Sequence, residues 1–127
     1  MNTIANPFCW TEIAVTDMER AVLFYQAVFR TVLHRENFGG SLQAVFPHAE
    51  DQPGGALFKS DNFLPGRSGI RAYMNVGEEK LDDVLARIEQ AGGKMDFPVV
   101  DLGKGIGFIA GMIDSEGNSV GLFSTVG

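Results

Sequence analysis

Apolar and polar positions change period several times along this chain, and each change marks an element. Over 10–15, Ile13 and Val15 alternate with Glu12 and Ala14, the period-2 pattern of a half-buried strand. The pattern stops at Thr16-Asp17-Met18-Glu19, which has the S/T-x-x-E form of a helix capping box. Beyond it Met18, Ala21, Val22, Tyr25, Val28 and Phe29 recur at helical spacing, with Glu19, Arg20 and Gln26 on the opposite face. Strands are predicted over 31–36, 42–46 and 56–60, punctuated by Gly39-Gly40 and Pro53-Gly54-Gly55.

The order then begins again. Residues 61–69 contain Pro65, Gly66 and Ser68 without periodicity and read as a linker. A strand over 70–76 leads into a helix whose apolar stripe is Leu81, Val84, Leu85, Ile88 and Ala91, while Asp82, Asp83, Arg87 and Glu89 are solvated. Gly92-Gly93 supplies a helix stop that tolerates a left-handed backbone. Strands over 94–97, 107–113 and 119–124 follow, and the turn Asp114-Ser115-Glu116-Gly117-Asn118 leads into the last of them.

Arg71 stands 61 residues after Trp10, and Gly121 stands 65 after Ala56, so the two halves run at a nearly constant offset. Such an offset is the mark of a duplicated unit. The expected fold is α+β and a single domain over 1–127. Two tandem βαβββ modules, over about 8–60 and about 70–124, form a cupped mixed sheet with the helices on its outer face.

Charge and composition then remove several classes of function. The net charge of −6 offers no basic stripe for nucleic acid and suits an anionic membrane surface equally poorly. No apolar run approaches the roughly 20 residues of a membrane span. The single cysteine, Cys9, cannot form an intrachain disulfide and is expected to be a small buried hydrophobe. Residues 1–7 lack the basic-then-apolar layout of a secretion signal, so the expected location is cytoplasmic.

Three motifs in order carry a resemblance. Ile13-Ala14-Val15-Thr16-Asp17 is followed by Ala21 and Phe24-Tyr25. A helix ends in Ala91-Gly92-Gly93-Lys94, and Asp114-Ser115-Glu116-Gly117-Asn118 runs into Ser119-Val120-Gly121-Leu122. Taken together they resemble the vicinal oxygen chelate superfamily of glyoxalases, extradiol dioxygenases and bleomycin-resistance proteins, over about residues 8–123. Taken singly, the last motif is first a tight turn and Phe24-Tyr25 a core contact.

The resemblance implies a divalent metal held by His or Gln and then Glu from the first and last strand of each module. Carried over, those positions fall at Trp10 and Arg71, at or within a residue of Ala56, and at Gly121. Trp offers only an N–H donor, Arg is a permanent cation without an acceptor, and Ala and Gly have no ligand atoms. No metal ligand, catalytic residue or cofactor is therefore assigned. His34 and His48 lie outside these positions and are expected at the surface or on an edge strand.

Strand alternation places Trp10, Glu12 and Ala14 on the cleft face, and on the same logic Arg71, Tyr73 and Asn75, joined by Ala56, Phe58, Gly121 and Phe123. Trp10, Glu12, Phe58, Arg71, Tyr73 and Phe123 are the candidate ligand-binding residues. Flat rings can stack on Trp10 and Tyr73, and Arg71 can grip a carboxylate or phosphate in bidentate fashion. A competing arrangement has Glu12 and Arg71 neutralising each other inside a closed core. The expected function is a metal-independent small-molecule binding protein of the glyoxalase/bleomycin-resistance type, its ligand small and partly aromatic or anionic. The alternative is a lyase or dioxygenase with a non-standard metal site or with Glu12 as general base. A homodimer is expected by the resemblance.

Overall fold

The computed structural model describes residues 6–127. In the first half, β1 (Trp10–Ala14), α1 (Met18–Phe29), β2 (His34–Phe38), β3 (Ser41–Val45) and β4 (Gly54–Phe58) follow one another. The second half repeats the series as β5 (Tyr73–Asn75), α2 (Leu81–Ala91), β6 (Lys94–Asp101), β7 (Phe108–Ile113) and β8 (Ser119–Ser124). Each half builds a four-stranded mixed sheet, in the orders β1-β4-β3-β2 and β5-β8-β7-β6. The fold is α+β, as the periodicities predict, with the duplication visible in the pairing itself. In each half the first and last strands run parallel, and Glu12 opposite Ala56 corresponds to Tyr73 opposite Gly121.

One apolar layer lies between the sheets and the helices. Ile13, Val15, Val28 and Leu57 from the first half share a single cluster with Leu81, Ile88, Met112 and Leu122 from the second. Burying a side chain of this size contributes roughly 1.5–3 kcal/mol. The predicted helical stripes supply it: Ala21, Val22, Tyr25 and Val28 of α1, and Leu81, Val84 and Ile88 of α2, are buried. Phe24 and Tyr25 are core residues, as expected.

The start of α1 departs from the capping box. Asp17, not Thr16, is the N-cap, in extended conformation, and its carboxylate accepts from the Arg20 N–H at 3.0 Å. Glu19 instead pairs with Arg35 at 2.8 Å. The free N–H groups of Thr16 and Asp17 go to a carboxylate from the other half, Glu116, at 3.0 and 2.9 Å. The chain solves the capping need through tertiary contact, which local spacing does not record.

The turn 114–118 is therefore more than backbone geometry, although Gly117 does adopt a left-handed φ of 96°. Its buried Asp114 accepts a 2.6 Å hydrogen bond from the Tyr25 hydroxyl, and Asn118 Nδ2 donates to the Ala14 carbonyl at 2.7 Å. Arg20 Nε donates to Glu116 at 2.8 Å, and the Glu116 side chain is fully covered. Burial alone would raise its pKa, but hydrogen bonds from Arg20, Asp17, Thr16 and Ser115 outweigh that and hold it at about 2. Burial, with Asp114 alongside, pushes the Tyr25 hydroxyl well above its ordinary range.

Several strand limits differ from the periodic reading. Residues 31–33 stay tied to the end of α1, where the Gln26 side chain accepts from the Leu33 N–H, so β2 starts only at His34. The glycines at 54 and 55 pair with β1 and belong to β4. The strand expected over 70–76 narrows to Tyr73–Asn75, while β6 runs on past Pro98 to Asp101 through register shifts. Cys9 is exposed, contrary to expectation, because β1 begins after it. No helix among the described residues is long and apolar enough to cross a membrane.

Candidate functional site

On the first sheet, pairing puts Glu12 beside Ala56 and Ala14 beside Phe58, so Trp10 and Glu12 share a face with Ala56, Phe58 and Gln43. The Trp10 ring meets His48 edge-on at 5.9 Å and Phe38 at 6.3 Å. His48 lies over Gly54, where a Cβ would stand 2.4 Å from its ring. Both histidines are exposed, His34 on the edge strand β2, as the sequence predicts. Glu12 is exposed, and Phe58 is half-buried against Phe63 at 6.0 Å. Gln43, which the sequence reading passed over, is only 6% exposed, and its Oε1 accepts no hydrogen bond. A lone unpaired acceptor on a binding face is one that a ligand donor could satisfy.

On the second sheet three rings press against glycines. Tyr73 covers Gly121, where a Cβ would come within 2.3 Å of the ring, and Phe97 covers Gly111 at the same 2.3 Å. Phe123 covers Gly107 in the same way. Arg71 extends across this face: its Cζ is 5.3 Å from the Phe97 centroid, and its Nε donates to Ser119 Oγ at 3.4 Å. Ser119 in turn donates to Asp96 at 3.1 Å. Phe97 and Asp96 had no signal in the sequence, because only the irregular register of β6 against β7 brings them beside Arg71, while Ser119 stood in the third motif with no role assigned to it.

Predicted site residues thus gather in two groups. Trp10, Glu12 and Phe58 stand on the first sheet, and Arg71, Tyr73 and Phe123 on the second. Glu12 and Arg71 are exposed and form no ion pair among the described residues, so mutual neutralisation in a closed core is not what the fold builds. Between the edge strands β1 and β5, beside the start of β4, runs a mainly apolar groove of about 360 Å³, with Thr11, Ile13, Phe46, His48, Tyr73 and Met74 among its walls. Its size suits a small ligand. A larger depression of about 470 Å³ lies elsewhere, beside the Arg35–Glu19 pair and Lys59, and touches none of the candidate residues.

Comparison with solved structures settles the architecture. The chain superposes on TnmS3, an antibiotic binding protein from Streptomyces sp. CB03234, with a TM-score of 0.69, 20% identity and 98% of each chain covered. It superposes on FosX, a fosfomycin resistance protein from Listeria monocytogenes, with a TM-score of 0.67 and 18% identity, over 95% of this chain and 94% of that one. A glyoxalase I variant from Zea mays gives 0.66 and 18% over 94% of this chain, which spans only 46% of the maize protein. The fold is that of the vicinal oxygen chelate superfamily. No family model matches the sequence, and no curated protein does.

Within this superfamily fold, the positions implied for the metal can be tested against the residues present. The equivalent pairing of Glu12 with Ala56 and Tyr73 with Gly121 shows that Ala56 and Gly121 are true counterparts. Ala56 is fully buried, and the space above Gly121 is filled by the Tyr73 ring, so neither place has room for a carboxylate. Trp10 and Arg71 bring an indole N–H and a cation. Among the described residues no three His, Cys, Asp or Glu side chains converge. This donor set does not fit a divalent ion.

Proposed function

We propose that this chain is a metal-independent binding protein for a small, partly aromatic or anionic molecule, held by Trp10, Glu12, Phe58, Arg71, Tyr73 and Phe123. The observation that carries the reading is the replacement of all four implied ligand positions, in matching register, by Trp10, Ala56, Arg71 and Gly121. What remains are open rings, Trp10 at 36% and Tyr73 at 45% exposure, beside a guanidinium without a direct carboxylate partner. Exposed aromatic surface of this kind is a binding surface when polar groups flank it. Likeness to a protein described as antibiotic binding supports the same class. The enzymatic alternative is less well supported: the Glu12 side chain is exposed on β1 and joins no ion pair among the described residues.

The test is metal analysis of the purified protein together with a thermal-shift screen of aromatic acids and glycopeptide-type antibiotics. The expected result is sub-stoichiometric Ni, Zn, Mn and Fe, no change in Tm with chelator, and at least one ligand that raises Tm. A ligand at 100 times its Kd adds about 2.7 kcal/mol of stability. Stoichiometric metal, or a screen without a single stabilising compound, would overturn the reading. The same reading places the protein in the cytoplasm as a homodimer. Ile70 at 95%, Leu64 at 68% and Leu23 at 67% exposure are apolar surface that a second copy would cover. Light scattering is expected to return twice the 13.7 kDa chain mass.

A further inference from the structure

Beyond the residues just proposed, with which it shares only Tyr73, we infer a second site in the groove between β1 and β5, for a small neutral molecule that carries an amide N–H. The class follows from a difference between the two halves at equivalent places. Both strands are sheet edges, and in a parallel pair alternate residues turn their N–H and C=O away from the partner strand. Val15 donates to Phe58 and Val76 to Phe123, so the preceding residues, Ala14 and Asn75, direct their carbonyls to the free edges of β1 and β5. These two are counterparts, paired with Phe58 and Phe123 in the same register. An amide takes the Ala14 carbonyl: Asn118, the residue before β8, donates to it from Nδ2 at 2.7 Å. The residue before β4 is Pro53, which has no donor to offer Asn75. Pro53 and Asn75 line the groove instead.

The rest of the groove fits such a molecule. Ile13, Phe46, Pro47 and Met74 give it apolar walls, and among the described residues its lining holds no Asp, Glu, Lys or Arg. A charged ligand would lose its hydration there without a counter-charge, so a neutral one is favoured. His48 adds a second acceptor. Its Nδ1 lies 2.8 Å from the Ala49 carbonyl, which can only accept, so Nδ1 carries the proton and the neutral ring offers Nε2. The ligand thus does at Asn75 what Asn118 does at Ala14, with its apolar body against the walls.

Titration followed by NMR tests this, with protein labelled at its methionine methyls and the Met74 signal assigned by Met74→Leu. The probes are benzamide, N,N-dimethylbenzamide, which lacks the N–H, and benzoate, which is charged. Benzamide is expected to shift the Met74 methyl and to bind at least about fivefold more tightly than either analogue, since one loses the donor and the other is an uncompensated anion. Pro53→Asn restores the side-chain amide of the other half and is expected to weaken benzamide at least about fivefold by taking the Asn75 carbonyl. Ala72→Leu fills the groove from its β5 wall and is expected to weaken all three probes, with circular dichroism unchanged. Benzamide that leaves Met74 unmoved up to its solubility limit, equal affinity for the dimethyl analogue, or full benzamide affinity in both variants overturns the site. The thermal-shift screen reads the function proposed above separately: if benzamide fails while a screened compound raises Tm, only the groove site falls.

Discussion

A hydroxyl on an otherwise apolar helix face looks like a blemish until its partner is found. Tyr25 is wholly buried among aromatic neighbours, Phe24, Phe29 and Phe46, yet its oxygen reaches Asp114 at 2.6 Å. Hydrogen bonds to charged groups contribute about 1.5–3 kcal/mol. Tyr25→Phe keeps the ring and removes that bond, so urea unfolding should show a loss of about that size. Asp114 keeps its donors from Asn118, which limits the damage. An unchanged urea midpoint would mean the bond contributes nothing net. Gly111→Ala makes the opposite kind of change. Its Cβ would press on the Phe97 ring, which is only half-buried and can swing outward. We expect a stability cost of about 1–3 kcal/mol, as for overpacking, read as a lower urea midpoint. At this scale the sequence exposes Trp10, Arg71, Ala56 and Gly121, because they sit inside a motif. It hides Phe97 and Gln43, because nothing along the chain marks them.

Among the elements, α1 depends on the opposite half for its first turn. Glu116 gathers the Thr16 and Asp17 N–H groups and the Arg20 guanidinium, and that network holds its pKa at about 2 against an ordinary 4.5. A depressed carboxylate stabilises the fold in full above its unfolded value and loses that contribution as pH falls toward the folded one. The contribution of Glu116 should therefore fade between about pH 4.5 and 2. Glu116→Gln should be clearly less stable than the parent at pH 6, with the gap closing near pH 2, as read by denaturant midpoints. A gap independent of pH would show that shape rather than charge matters there. Both helices were legible from their stripes, and the strands from alternation. Their limits were not, wherever a tertiary partner decides them. Gln26 holds back the start of β2, and the pairing of Gly54 and Gly55 with β1 extends β4.

For the whole molecule, the two sheets form separate ladders, and what joins them is the helical layer and the turn 114–118. The core cluster mixes Val28 and Leu57 with Ile88 and Met112, so neither half closes an apolar core by itself. A half-chain would leave that face wet and lose the clamp at Glu116 as well. Duplication in the sequence thus does not imply two independent folding units, and cooperativity should extend across both halves. The chain has a single tryptophan, Trp10, placed in the first half against His48 and Phe38, so its fluorescence follows that half alone. Far-UV circular dichroism follows both. Urea transitions by the two probes should coincide at every pH above the range in which Glu116 titrates, and a fragment of residues 1–69 should stay unfolded. Separate midpoints, or a folded fragment, would show that each half carries its own stability and that the shared core is only an interface.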